Sequence, residues 1–249
     1  MNIFNKKIEE LVDENYVYAS VLYYFGIKFY DYSERTLEDV CAEKGLNIKS
    51  VISSLEAVSS SPSETKLSLI AFPVDLVIEY LKHSHYIFIK QKLPYVAKLI
   101  ENLPTKTKDH FLIVQDLKLV FPLFVEDFIH HIYEEEDSLF SYILLLNKTL
   151  DGIKNPAKIY YALEEHSLQA FATEHEQNDD EMKGLRSITH NYSLQPENDL
   201  HLKVIFAELK SFEENLISHA RIENEILFPK ALELEKEIKK MLAKKIKLN

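Results

Sequence analysis

The stretch FIHHIYEEED, residues 128–137, sets two adjacent histidines ahead of four consecutive carboxylates inside an otherwise apolar segment. Residues four apart on an α-helix differ by only about 40° in direction, so His131 and Glu135 face the same way one turn apart. Continuing along that direction gives Phe124, Phe128, His131, Glu135, Leu139, Tyr142 and Leu146, a core-facing stripe interrupted by two polar side chains. His130 aligns instead with Glu126, Glu134 and Asp137, so most of the acidic run reads as a solvated face. Glu135 is the exception, because an ionised carboxylate inside a helical core carries a heavy desolvation cost unless it is paired or bound to a cation.

The same arrangement recurs near the C-terminus, where Ile205, Leu209, Phe212, Leu216, His219, Glu223 and Ile226 share one face, while Arg221, Glu214 and Glu225 fall elsewhere. Between these two segments, His166 and His175 lie nine residues apart and face nearly opposite directions on a helix. His175 aligns with Leu168, Phe171, Met182 and Leu185 and is the inward one. Upstream, His85 aligns with Ile78, Leu81, Phe88 and Leu99, whereas His83 shares its side with Lys90. His110 is set aside, since a straight helix would put it roughly 30 Å from His131, although a bent connection would bring it back.

Composition supports a helical reading of these patterns. The 249 residues include only four glycines and no tryptophan, and 46% of them are hydrophobic, enough for a sizeable core. The serine-rich VSSSPSETK (58–66) separates a small N-terminal helical domain, residues 1–62, from residues 63–249. In the first domain, Thr36 or Ser33 reads as a helix N-cap and Gly45 as a helix stop. The second is divided by ENLPTKTKDH (101–110), LDGIKNPAK (150–158) and THNYSLQPEND (189–199) into four long helices, and short connections favour an all-α, up-down-up-down four-helix bundle. In such a bundle His85, His131, His175 and His219 each lie roughly 20 residues from the intervening turns and meet at one depth.

Four imidazoles and two carboxylates converging from four helices suit two transition metals with carboxylate bridges, and the lack of thiolates favours iron or manganese over structural zinc. A formal charge of −11 speaks against nonspecific binding to nucleic acid or anionic lipid, the Lys-rich C-terminal tail reading as a helix end suited to cations. No apolar run approaches the ~20 residues of a membrane span, and the charged N-terminus does not read as a signal peptide, so a cytoplasmic location is expected. The single cysteine, Cys41, forms no internal disulfide.

At these residues the chain resembles the hemerythrin-like di-iron proteins that repair iron-sulfur clusters. The resemblance rests on HIYEEEDSLF (131–140) and HARIENEILFP (219–229), two His-x-x-x-Glu motifs each leading toward Leu-Phe, and on the Glu-His at 174–175. HSHYIFIKQKLP (83–94) matches the first ligand helix, with the family's histidine falling at 85 or at 86, which is Tyr. YYFGIKFYDYSERTLEDVC (23–41) matches the family's N-terminal domain, but Tyr30 and Asp31 stand where its cysteine pair would be.

The resemblance implies a hemerythrin-like bundle holding two iron ions in a non-haem, oxo- and carboxylate-bridged centre, with His85, His131, Glu135, His175, His219 and Glu223 as ligands. It implies action against oxidative and nitrosative damage, by iron supply or nitric oxide reduction, with nitric oxide or dioxygen as small ligands and iron-sulfur proteins as partners. The alternative is a protein that binds or senses dioxygen or nitric oxide without turnover. A homodimer is compatible with either.

Overall fold

The computed structural model describes residues 3–59, 69–104, 111–178, 180–193 and 199–247, and side chains are described throughout these except at 58, 59, 174–178, 246 and 247. Among the described residues the chain is all helix apart from turns and one isolated bridge between Lys7 and Thr36. The N-terminal part forms α1 (Ile8–Glu14), α2 (Val17–Tyr24), α3 (Leu37–Lys44) and α4 (Ile48–Ser59). The expected linker at 58–66 lies outside the described residues except for 58–59, which close α4, and so does His110.

Local chemistry accounts for these ends. Asn15 leaves the helix with an extended backbone, and its side-chain oxygen accepts the Val17 N–H, which splits the apolar stretch around Phe4–Phe25 into α1 and α2. Thr36 supplies the N-cap of α3 by accepting the Asp39 N–H at 3.2 Å. Gly45 closes the same helix in the left-handed conformation, at φ +65°, where a side chain would be strained.

The remaining helices are α5 (Val74–Ile87), α6 (Leu93–Glu101), α7 (Phe111–Glu134), α8 (Ser141–Thr149), α9 (Pro156–Glu165), α10 (Leu168–Asn178), α11 (Lys183–Ile188), α12 (Leu200–Ile222) and α13 (Phe228–Lys247). The third of the four expected long helices is therefore three shorter ones. Asn155 caps α9 by accepting the Lys158 N–H, with Pro156 in the first turn, where its missing donor does no harm. Three π-helical turns, Phe88–Lys92, Glu135–Phe140 and Glu223–Leu227, extend α5, α7 and α12 into the helices that follow. No helix among the described residues is long and apolar enough to cross a membrane.

The chain divides into two compact units. One comprises residues 1–65, 94–121 and 184–213; the other comprises 66–93, 122–183 and 214–249. In the first, the buried ring of His201 stacks on Tyr30, and its Nε2–H donates to the Leu99 carbonyl at 2.8 Å. The second unit is all helix and turn among the described residues. Its core joins Val74, Val77, Ile78 and Leu81 of α5 to Tyr142, Ile143 and Leu146 of α8 and to Ala231, Leu234 and Ile238 of α13. These positions recur at three- and four-residue spacing, so each helix contributes one apolar stripe.

Ile143 is fully buried in that core, and Ile143→Ala should lower the stability of the protein by about 2–5 kcal/mol in urea unfolding. In the first unit, burial holds His201 below the ordinary imidazole range, partly opposed by its bond to the Leu99 carbonyl. The unfolded chain therefore takes up the proton first as pH falls through about 6.5, and this site's contribution to stability is full above that pH and declines below it. His201→Gln, which keeps a donor but does not titrate, should flatten the pH dependence of the urea midpoint between about pH 7.5 and 5.5.

Candidate metal centre

Four buried polar side chains of the second unit gather where the π-turns lie. His85 of α5 is 2% exposed, Glu135 at the start of its π-turn 7%, His219 of α12 9% and Glu223 at the start of the next π-turn 1%. One ligand atom from each, two imidazole nitrogens and two carboxylate oxygens, lies within 4.8 Å of the other three. His85 Nε2 is 3.0 Å from His219 Nε2 and 3.5 Å from Glu135 Oε2, and His219 Nε2 is 3.4 Å from Glu223 Oε1.

His131 stands beside this group. Its Nε2 is 3.2 Å from Glu135 Oε1 and 3.3 Å from Glu181 Oε1. Glu135 thus turns one oxygen toward His85 and the other toward His131. The two sides differ in access, since the His131 side chain is 41% exposed while that of His85 is 2% exposed. His175 lies in α10, and its side chain is outside the described residues.

Aromatic rings wall the buried side. Phe140 stacks on His85 with an interplanar angle of 6°, and Phe88 meets His219 edge-on at 5.6 Å. Phe128 packs against Phe88 at 6.1 Å. Burial is the main reason that the His85 imidazole sits below its ordinary range, followed by the neighbouring His219, while Glu135, Glu136 and Glu223 pull in the opposite direction. A neutral imidazole is the form that offers a lone pair to a metal.

The donor chemistry fits a divalent transition metal. Burial disfavours positive charge on the His85 imidazole, so a cation is the natural counter-charge for two buried carboxylates in this low-dielectric setting. Nitrogen and oxygen donors without thiolate match iron or manganese.

Of the six side chains expected to meet, His85, Glu135, His219 and Glu223 lie together and His131 stands beside them. His83, His130, Arg221 and Glu225 are exposed, and His130 pairs only loosely with Glu134 at 3.3 Å on the solvated face. Periodicity missed two carboxylates. Glu136, read as surface charge, lies with Oε1 2.8 Å from His85 Nδ1, and Glu181 reaches His131 from the turn between α10 and α11. A signal for Glu136 was present in its position directly after the ligand-like Glu135. Glu181 follows a break that helical phase cannot carry through.

The profile of the family described as "Hemerythrin HHE cation binding domain" matches residues 77–231. Among curated proteins, the chain is 22% identical over 208 residues to "Iron-sulfur cluster repair protein YtfE" of Musicola paradisiaca, covering 84% of this chain and 87% of that protein. It is also 22% identical over 205 residues to "Probable iron-sulfur cluster repair protein" of Haemophilus influenzae, covering 79% and 82% respectively.

Glu223→Gln tests the centre through stability alone. In metal-free protein, exchanging the buried carboxylate for a neutral amide of the same shape should leave the urea midpoint unchanged or raise it. Added ferrous iron should stabilise the parent protein in proportion to its saturation and stabilise the variant far less. Equal iron-dependent shifts in both proteins would contradict a metal-binding role for Glu223.

Proposed function

The chain belongs to the hemerythrin HHE cation-binding family, and from that membership we propose that it is a non-haem di-iron protein that protects or rebuilds iron-sulfur proteins in the cytoplasm under oxidative or nitrosative stress. It does so by supplying iron or by reducing nitric oxide. The similarity to the two repair proteins supports the biological setting. The observation that carries the chemical reading is the convergence of four buried donor atoms within 4.8 Å.

In this reading His85, Glu135, His219 and Glu223 would hold one iron. His131 and His175 would supply nitrogen to the second, with carboxylate oxygen from Glu135, whose two oxygens face His85 and His131. A bound iron pair supplies open coordination positions and electrons for nitric oxide or dioxygen. The chain's own contribution is to hold the donors apart from water behind Phe88, Phe128 and Phe140, and to leave the His131 side open to a diatomic ligand. Residues 63–249 carry this centre, and residues 1–62 form a small N-terminal helical domain.

A second reading is favoured by the thiol chemistry. Cys41, the only cysteine, is 1% exposed, and burial pushes its thiol up from the ordinary range, so it is held protonated and out of reach. A protein without an accessible thiol has no route for persulfide exchange of its own, which suits a di-iron protein that binds or senses nitric oxide or dioxygen without turnover.

Three measurements on protein purified without chelator separate these readings. About two irons per chain supports the di-iron centre, and a stable, metal-free protein that takes up no iron contradicts it. Steady-state consumption of nitric oxide with a reductant, or transfer of iron to a damaged iron-sulfur protein, supports repair. Stoichiometric binding with neither outcome supports sensing.

A further inference from the structure

The inner and outer nitrogens of His85 have different neighbours. Nε2 faces His219 and Glu135, while Nδ1 lies 2.8 Å from Glu136 Oε1. We propose that Glu136 is a positioning residue of the metal centre, one that takes the Nδ1 proton of His85 in a hydrogen bond and thereby commits the Nε2 lone pair to the site.

Donor and acceptor rules carry the first step. A neutral imidazole has one N–H and one bare nitrogen, and an ionised carboxylate only accepts. The Glu136 side chain is 27% exposed and that of His85 2%, so the carboxylate lies between solvent and the buried ring. With Glu136 accepting, the proton is on Nδ1 and Nε2 is bare. His85 Nε2 is also 3.0 Å from His219 Nε2, a distance that two bare nitrogens do not hold without something between them. With His85 Nε2 bare, the Nε2–H of His219 is the group placed to donate to it in metal-free protein, and for His219 to serve as a ligand its proton would have to move to Nδ1. His85 is preset for the metal, and His219 is the ring that must change tautomer.

The local fold explains why this carboxylate is available. Glu135 and Glu136 are consecutive residues at the head of the π-turn Glu135–Phe140. Their carboxylates reach opposite ends of the same ring, Glu135 at Nε2 and Glu136 at Nδ1. Phe140 of the same turn stacks on the ring face. One turn of helix therefore sets the plane, the rotation and the protonation of His85. The second His-x-x-x-Glu motif has neutral Asn224 in the corresponding place after Glu223, so the charged outer partner belongs to one side of the centre. A carboxylate on the outer nitrogen also makes the imidazole a stronger donor, the usual effect of such partners on metal-ligating histidine.

The inference rests on the metal-binding reading above, and two arms keep their failures apart. In the metal-free protein labelled with nitrogen-15 at histidine, His85 should carry its proton on Nδ1. In Glu136→Ala it should become a tautomer mixture, and Glu136→Gln, whose amide oxygen still accepts, should restore the Nδ1–H form. In the second arm, ferrous iron is titrated anaerobically against a competing chelator. Glu136→Ala should bind about 10–100-fold more weakly, with Glu136→Gln between it and the parent, and with the unfolding midpoints of the metal-free proteins serving as the control for folding. A parent protein whose His85 carries its proton on Nε2 overturns the inference, as does a Glu136→Ala protein that binds iron as tightly as the parent. If the parent binds no iron, the proposed function falls while the tautomer measurement still decides the role of Glu136.

Discussion

Glu135 and Glu223 bring two carboxylates into a helical core beside His219 and a His85 imidazole that burial holds toward the neutral form. Mutual repulsion and lost hydration both oppose that placement, and hydrocarbon neighbours offer no relief. The rest of the second unit can be understood as the means of imposing it. Apolar stripes on α5, α8 and α13 fix the helices, and aromatic rings hold the imidazoles in place from outside. The free energy that compensates the buried charge comes, in this account, from bound metal. An empty core of this composition would be more stable with amides in place of the acids.

The three π-turns are the second element of the design. Each adds a residue to its helix directly after a ligand-like side chain, at Phe88–Lys92 after His85 and at the turns that begin with Glu135 and Glu223. A π-turn widens the helix and shifts the phase of everything downstream, and such turns are frequent at functional sites. Within the turn Glu223–Leu227, Leu227 is fully buried and Ile226 is only partly so. At the first ligand helix, the π-turn Phe88–Lys92 follows His85, which is buried, while Tyr86 is 56% exposed.

Helical phase made much of this legible before any coordinates. The pairing of His131 with Glu135 and of His219 with Glu223 follows from a four-residue spacing, which π-turns beginning after the histidine leave intact. The choice of His85 over His83 also follows from phase. What phase could not carry is whatever lies beyond a π-turn or a break. Glu136 appears to α-helical reasoning as one more surface acid, because its approach to His85 depends on the geometry of the turn it sits in and on a helix 51 residues away. The third helix breaks between Asn178 and Lys183, so the alignment of His175 with Met182 and Leu185 did not extend along one axis, and Glu181 was reached by no periodic argument. Thr36 and Gly45 were readable because caps and left-handed stops are local chemistry.

The His131 and His85 sides of Glu135 differ in exposure, and that difference separates a storage-like pocket from a point of entry. Under the proposed function, the buried side, with Glu136 behind it, would hold an ion in one geometry, and the half-open side would be where an incoming small molecule meets the centre. Diffraction from crystals of the iron-loaded protein, recorded above and below the iron absorption edge, tests this picture directly. Two anomalous peaks are predicted, one bounded by His85, Glu135, His219 and Glu223 and a second beside His131. Crystals of iron-loaded protein with no peak among those four side chains would contradict it.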